Sequence, residues 1–199
     1  MFSNAFANRG NSYWDKGARD NAMADYDQAT RLDPVNAFAF QSRGRAYRIA
    51  GEYDRAIEDF DQMIRLQRTN AAAWNERCYT HLVADTALPN AIADCSESLK
   101  INPNSFPALD NRGLALLKLN EPDRAIADYE AALRLSPKSA GALYGRGLAK
   151  LKKGDTEGGN ADIAAAKAIK PDVAKDFAKY GLTVAGDTAG SPAPAPIGG

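Results

Sequence analysis

Small and apolar residues recur along this chain at spacings of three and four, in blocks that are separated by short polar turns. In one pair of blocks, Phe40, Gly44 and Tyr47 follow this spacing, Gly51 interrupts it, and residues 56–64 resume it. One face of an α-helix shows this periodicity, and glycine often supplies the positive φ that a tight turn needs. The pattern therefore predicts α-helices that are joined in pairs by short turns.

The paired blocks occur five times in succession. They span residues 3–36, 37–70, 71–105, 106–139 and 140–173, and all have 34 residues except the third, which has 35. The eighth place of the repeats holds Gly10, Gly44, Cys78, Gly113 and Gly147, and a later place holds Tyr26, Phe60, Cys95, Tyr129 and Ile163. A constant period of this length is the signature of a solenoid. We therefore expect an all-α stack of helical hairpins.

The repeat resembles the tetratricopeptide repeat (TPR) family. Trp74 and Phe40 match the leading aromatic residue of that family, and Tyr13 and Tyr47 match the second one. Proline closes four of the repeats, at Pro34, Pro103, Pro137 and Pro171. The resemblance covers residues 3–173 and implies a right-handed solenoid of antiparallel helix pairs.

The residues after the fifth repeat predict a cap and a tail. Val173, Phe177 and Tyr180 form an apolar stripe on a helix expected at about 172–181, which would cover the last hairpin. This places the solenoid at residues 3–181. Residues 182–199 are rich in Ala, Pro and Gly, have little to bury, and predict a disordered tail.

Two cysteines lie at facing places of the third repeat, where other repeats pair glycine with an aromatic ring. Either Cys78 and Cys95 pack as two buried thiols, or they form a disulfide between the helices of one hairpin. A disulfide favours export to an oxidising compartment such as a bacterial periplasm, whereas free thiols favour the cytoplasm.

Each repeat also carries an arginine and an aspartate at fixed places. The arginines are Arg9, Arg43, Arg77, Arg112 and Arg146, and the aspartates are Asp25, Asp59, Asp94, Asp128 and Asp162. An arginine can lay its stem on the core while its guanidinium forks onto a carboxylate. We expect each arginine to pair with the aspartate of its own repeat, which gives a structural series of ion pairs. In the rival arrangement, each aspartate pairs with the arginine of the next repeat.

Composition narrows the classes of function. The 25 basic and 25 acidic residues balance, which gives no electrostatic support for binding nucleic acid or an anionic membrane. No apolar run is long enough to span a bilayer, and residues 1–10 lack the basic start and apolar core of a signal peptide. The first repeat begins at residue 3, so the sequence starts almost at a repeat boundary. This position is consistent with the removal of an upstream segment.

No residue pattern in the chain suggests catalysis. His81 is the only histidine, so it has no second imidazole with which to bind a metal and is most simply a packing residue. No nucleophile–base spacing is evident. We therefore expect no enzymatic activity, no metal and no cofactor.

The family resemblance implies a concave groove that binds a partner protein or peptide. Carried over by place, its residues are Trp14, Arg45, Arg48, Tyr79, Leu82, Val83, Leu114, Leu117, Tyr144, Leu148 and Leu151. We expect the leucines and tyrosines to be exposed until something covers them: a partner, the tail, the capping helix or another copy. The leading hypothesis is a non-catalytic adaptor. The alternatives are a self-associating architectural subunit and a regulatory repeat segment of a larger protein.

Overall fold

The computed structural model describes residues 2–184, and every regular element in that range is an α-helix. In chain order these are α1 (Phe2–Asp15), α2 (Arg19–Leu32), α3 (Ala37–Ile49), α4 (Tyr53–Leu66), α5 (Ala71–Ala84), α6 (Leu88–Ile101), α7 (Phe106–Lys118), α8 (Pro122–Leu135), α9 (Ala140–Lys152), α10 (Thr156–Ile169) and α11 (Val173–Ala178). Helices α1 to α10 form five consecutive hairpins, which confirms the all-α solenoid of helix pairs.

Polar caps and left-handed turn residues set the ends of the helices. The side chain of Asn36 accepts hydrogen bonds from the amides of Phe38 and Ala39 at the start of α3, and Asn70 and Ser139 cap α5 and α9 in the same way. The turns within hairpins contain Gly17, Gly51 and Gly154 with positive φ, whereas the third and fourth repeats use Asp85 and Asn120 there. These residue types tolerate the left-handed conformation best.

Glycine at the eighth place lets the two helices of a hairpin approach closely. A Cβ built on Gly44 would lie 2.9 Å from the ring of Phe60, and one built on Gly10 would lie 2.6 Å from the ring of Tyr26. Only glycine leaves room for the ring at these places. The facing pairs predicted from the sequence are therefore in contact.

The third repeat replaces this glycine–ring contact with a covalent bond. Cys78 and Cys95 form a disulfide between α5 and α6, with Cα atoms 5.4 Å apart, and both residues are fully buried. The structure thus contains the disulfide, which is one of the two interpretations that the sequence leaves open. The two cysteines are separated by 17 positions, against 16 for the glycine and ring of the neighbouring repeats, so the extra residue of this repeat lies between them.

All five arginine–aspartate pairs, here called the main series, form within their own repeats. In each, Nε and one terminal nitrogen of the arginine donate to the two carboxylate oxygens, at 2.6–2.9 Å. The aspartates are buried, while the arginines are partly exposed and Arg9 is more than half exposed. The predicted pairing within repeats is confirmed.

The remaining guanidinium nitrogen of three arginines reaches back to the preceding repeat. Nη1 of Arg43 donates to Asp27 at 2.8 Å, that of Arg77 to Asp61 at 2.5 Å, and that of Arg112 to Ser96 at 3.1 Å. The rival arrangement paired each aspartate of the main series with the next arginine and is wrong. The contact between repeats is made instead by the residue that lies two positions after the main-series aspartate on the second helix.

The C-terminal end follows the expected cap only in part. Val173 and Phe177 are buried as predicted, but α11 ends at Ala178, earlier than the expected 181. Residues 182–184 fall in the tail that composition predicts, yet Leu182 and Val184 pack against the hydrophobic core. They do so because the chain turns at Gly181, whose φ is positive, and residues 182–184 then lie beside Leu148 and Leu151 on α9. Residues 185–199, the rest of the expected tail, lie outside the described residues.

Candidate interaction groove

The first helices of the repeats line one continuous face. Within the described residues, α1 contacts α3, α3 contacts α5, α5 contacts α7 and α7 contacts α9, whereas the second helices of neighbouring repeats do not contact one another. Stacked hairpins with this asymmetry curve towards their first helices. The face that the family resemblance assigns to the groove is therefore lined by α1, α3, α5, α7 and α9.

The N-terminal half of the groove is open. Between α1 and α3 lies a cavity of about 360 Å³. Its lining residues are Asn11, Trp14, Asp15, Tyr26, Phe38, Gln41, Ser42, Arg45, Ala46 and Ile49. Phe38 is 39% exposed and Ile49 is 64% exposed. Sequence reasoning named Trp14 and Arg45 here but missed these two apolar residues. The family resemblance assigns the second, fifth, ninth, twelfth and thirteenth places of each repeat to the groove. Phe38 and Ile49 occupy the second and thirteenth places of theirs, so the resemblance could have identified them.

A charged cluster crosses the middle of the groove. Glu76 is buried, and its carboxylate accepts hydrogen bonds from Nε of Arg45 at 2.6 Å and from Nη1 of Arg48 at 2.7 Å. The Arg48 guanidinium also lies 4.8 Å from the ring centre of Tyr79. Arg45 remains about half exposed, so it can still donate to a ligand. Sequence reasoning identified both arginines but not the glutamate that holds them.

The C-terminal half of the groove is covered, and this corrects an expectation. Leu82, Leu114, Leu117, Tyr144 and Leu148 are buried, although we expected an exposed apolar row. The end of the chain supplies part of this cover, because Phe177 lies against Tyr144 and residues 182–184 lie beside Leu148. Tyr79, Val83 and Leu151 remain partly accessible.

Named side-chain contacts connect the end of the chain to the groove. The ring of Phe177 lies 4.8 Å from that of Tyr144 on α9. Tyr180 lies close to Tyr79 on α5, and Nζ of Lys118 on α7 lies 5.8 Å from its ring centre. Burial, followed by the interaction with the Tyr79 side chain, raises the pKa of Tyr180. A short segment of this chain therefore spans three repeats of its own groove.

One groove carboxyl group is strongly desolvated. Asp110 occupies the fifth place of the fourth repeat, and burial raises its pKa to about 6. It lies near Tyr180 and Tyr129, whose pKa values its negative charge helps to raise. The carboxyl group of Asp110 is therefore less acidic than that of an exposed aspartate.

The remaining titratable candidate is a packing residue. His81 is largely buried beside the main series, with Nε2 3.7 Å from Oδ2 of Asp94, and burial lowers its pKa. Among residues 2–184 there is no group of three or more His, Cys, Asp or Glu side chains that could hold a metal ion. In the same range, no helix has the length and apolar character needed to cross a membrane.

Comparison with known sequences identifies the family. A sequence model described as tetratricopeptide repeat matches residues 7–73, 42–106 and 111–174, which together make up most of the chain. The chain belongs to the tetratricopeptide repeat family. Its fold is that of a protein-interaction scaffold. No curated protein sequence matches this TPR protein significantly.

Solved structures share the fold. The crystal structure of MamA superposes with a TM-score of 0.74 at 24% identity, over 87% of this chain and 94% of that chain. YrrB, described as a TPR protein with an unusual peptide-binding site, gives 0.69 at 23% identity, over 87% and 90%. A thermophilic TPR protein of Thermus thermophilus gives 0.68 at 19% identity, over 90% and 99%. At these identities the likeness concerns the fold alone.

Proposed function

We propose that this TPR protein is a non-catalytic adaptor whose concave groove binds a short segment of a partner protein. The observation that carries the proposal is the division of the groove. Its C-terminal half already accommodates a short apolar segment of the same chain, and its N-terminal half presents unfilled apolar and polar side chains around one cavity. The peptide-binding site named for YrrB is consistent with such a role.

The open half determines the chemistry of the partner segment. Phe38, Ile49 and Trp14 offer apolar contact, while Gln41 offers hydrogen bonds to a peptide backbone. The half-exposed guanidinium of Arg45 would donate hydrogen bonds to a carboxylate of the partner. The segment that fits has aromatic or aliphatic side chains and one acidic residue beside them.

The proposed groove extends beyond the open half. Arg48 and Tyr79 lie at the border of the open half. The part of the groove beyond that border is formed by Leu82, Val83, Leu114, Leu117, Tyr144, Leu148 and Leu151. A partner confined to the open half would leave the end of the chain in place on this part. The binding surface that is available without rearrangement is therefore the one between α1 and α3.

Selection of random twelve-residue peptides on the purified protein tests the proposal. We expect enrichment of peptides that combine apolar residues with one acidic residue. Binding of a selected peptide should weaken at least tenfold in Phe38→Glu and Ile49→Glu, which place a negative charge in the open half. Matched controls are Leu135→Glu and Ile169→Glu, which have similar exposure but lie on second helices.

Two results would contradict this function. One is the absence of any enriched peptide family. The other is binding that the groove and control substitutions weaken equally, because the peptide would then bind elsewhere on the solenoid.

A second candidate function is self-association through the N-terminal end of the solenoid. Phe2 is 77% exposed and Val35 is 70% exposed, and hydrogen bonds from Asn36 to Ser3 and Asn4 bring both to the same end. Within the described residues, α1 packs only against α2 and α3. Sedimentation velocity over a hundredfold concentration range distinguishes this function. A dimer that Phe2→Ser and Val35→Ser dissociate would support it, and a monomer throughout would exclude it.

A further inference from the structure

Residues 177–184, here called the C-terminal strap, cover the apolar half of the groove. Their apolar side chains are Phe177, Tyr180, Leu182 and Val184, with Lys179 as the charged residue among them. Phe177 contacts Tyr144, and the other three pack against the core. The strap thus contacts the groove as a short bound segment would.

The strap is attached to the groove by side chains. The amides of Tyr180, Gly181 and Leu182 donate their hydrogen bonds to the carbonyls of Phe177 and Ala178, inside the strap. The ion pair of Lys179 with Asp176 is also local. A segment whose backbone hydrogen bonds are internal can leave a surface without disrupting the helices below it.

The fit of the strap to the groove is incomplete. A cavity of about 310 Å³ lies between residues 182–184 and the side chains of Leu148, Leu151 and Lys152. Unfilled space means that apolar surfaces there lack contacts which a better-fitting segment would make. Among the described residues, a segment whose side chains fill this space would gain apolar contacts that the strap does not make.

We propose that the strap is a displaceable occupant, and that the surface beneath it docks a partner segment with the same pattern. That pattern is an aromatic residue, a second aromatic residue three positions later, and aliphatic residues five and seven positions after the first. This inference deepens the proposed function and rests on it, since it assigns a ligand class to the covered half of the same groove.

The tether gives the strap an advantage that a partner must exceed. A segment held by a short linker competes at an effective concentration in the millimolar range. The apparent affinity of a partner for the intact protein is reduced in proportion to the fraction of molecules in which the strap is released. The strap therefore screens out weak ligands of the covered half.

A peptide added in trans tests the proposal. The probe is the fluorescein-labelled synthetic peptide VAKDFAKYGLTV, which is residues 173–184, and its binding to the full chain is followed by fluorescence anisotropy. The strap variant carries Tyr180→Ser, Leu182→Ser and Val184→Ser. The matched control carries Lys175→Ser, Ala178→Ser and Thr183→Ser, three exposed positions of the same region.

We expect the strap variant to bind the probe at least tenfold more tightly than the wild type and the control, with unchanged helical circular dichroism. Equal affinity in all three proteins, or no binding to a helical strap variant, would overturn the proposal. So would a loss of helical signal in the strap variant, because the strap would then be part of the folded core.

Hydrogen exchange of the unmodified protein gives an independent measurement. Amides of residues 180–182 should exchange at least tenfold faster than those in the centre of α9, because the strap opens by itself. Equal protection would contradict a displaceable strap. If selected peptides bind the open half while the probe fails on the strap variant, this inference fails and the proposed function stands. If the probe binds the strap variant but no selected peptide binds the open half, the function proposed for the open half fails and the displaceable strap stands.

Discussion

Reduction of the disulfide should weaken the hairpin of α5 and α6 by an amount that its loop length determines. Cys78 and Cys95 are 17 positions apart. In the chain-entropy model, cross-linking a loop of this size stabilises the folded state by about 3 kcal/mol. Because both residues are fully buried, reductant should reach them only after local opening, so reduction of the native protein should be slow.

The assay is urea unfolding followed by circular dichroism, with and without prior reduction in denaturant. We expect two thiols to be released by reduction and the unfolding midpoint to fall. Local hydrogen exchange should increase most in α5 and α6, since neighbouring repeats of a solenoid contribute separately to stability. An unchanged midpoint after complete reduction would show that the bond does not stabilise the hairpin, and the reasoning from loop entropy would be refuted.

A matched double substitution separates the covalent bond from packing. Cys78→Gly with Cys95→Phe copies the contact of Gly44 with Phe60 in the preceding repeat. Phenylalanine is chosen because the hydroxyl of Tyr129 is buried without a hydrogen-bond partner among the described residues. This variant should recover part of the lost stability under reducing conditions. Stability no better than that of the reduced wild type would mean that the repeats do not share this packing.

Four further substitutions test other parts of the account by urea unfolding. Arg112→Ala leaves the carboxylate of Asp128 buried and unpaired, and should lower the free energy of unfolding by about 3 kcal/mol. Arg9→Ala should lower it less, because Arg9 is more exposed. Equal losses in the two variants would contradict the role of burial. Leu117→Ala should lower it by about 2–5 kcal/mol because Leu117 is fully buried, and an unchanged value would mean that Leu117 is exposed in solution. Asp110→Asn should raise it at pH 7.5 by about 1–2 kcal/mol, since the folded pKa of about 6 exceeds the unfolded value and the charged form is therefore disfavoured on folding. The wild type should gain this stability as the pH falls from 7 to 5, and a stability that falls instead would refute the burial of this carboxyl group.

The repeat and its internal pairings could be predicted because they depend on periodicity. Antiparallel helices of constant length bring the same places together in each hairpin. The contacts of Gly44 with Phe60 and of Arg43 with Asp59 follow from place numbers alone. The contact of Arg43 with Asp27 does not, because it depends on how one hairpin is rotated against the preceding one.

The state of the groove could not be predicted, because the strap has no periodic pattern to indicate its course. Composition places residues 182–184 in the tail, whereas their position depends on the turn at Gly181 and on the contact between Tyr180 and Tyr79. The sequence consequently predicts an exposed Tyr144, and the structure shows it buried against Phe177. Where the chain returns across helices distant in sequence, local pattern carries little information.

Hydrogen exchange of the protein with and without a selected peptide tests the central claim most directly, because it locates the bound segment on the solenoid. The account predicts added protection in α1 and α3, the helices that line the open half, and little change in α2 and α4 behind them. Added protection confined to the second helices would place binding on the convex face and contradict the proposed groove.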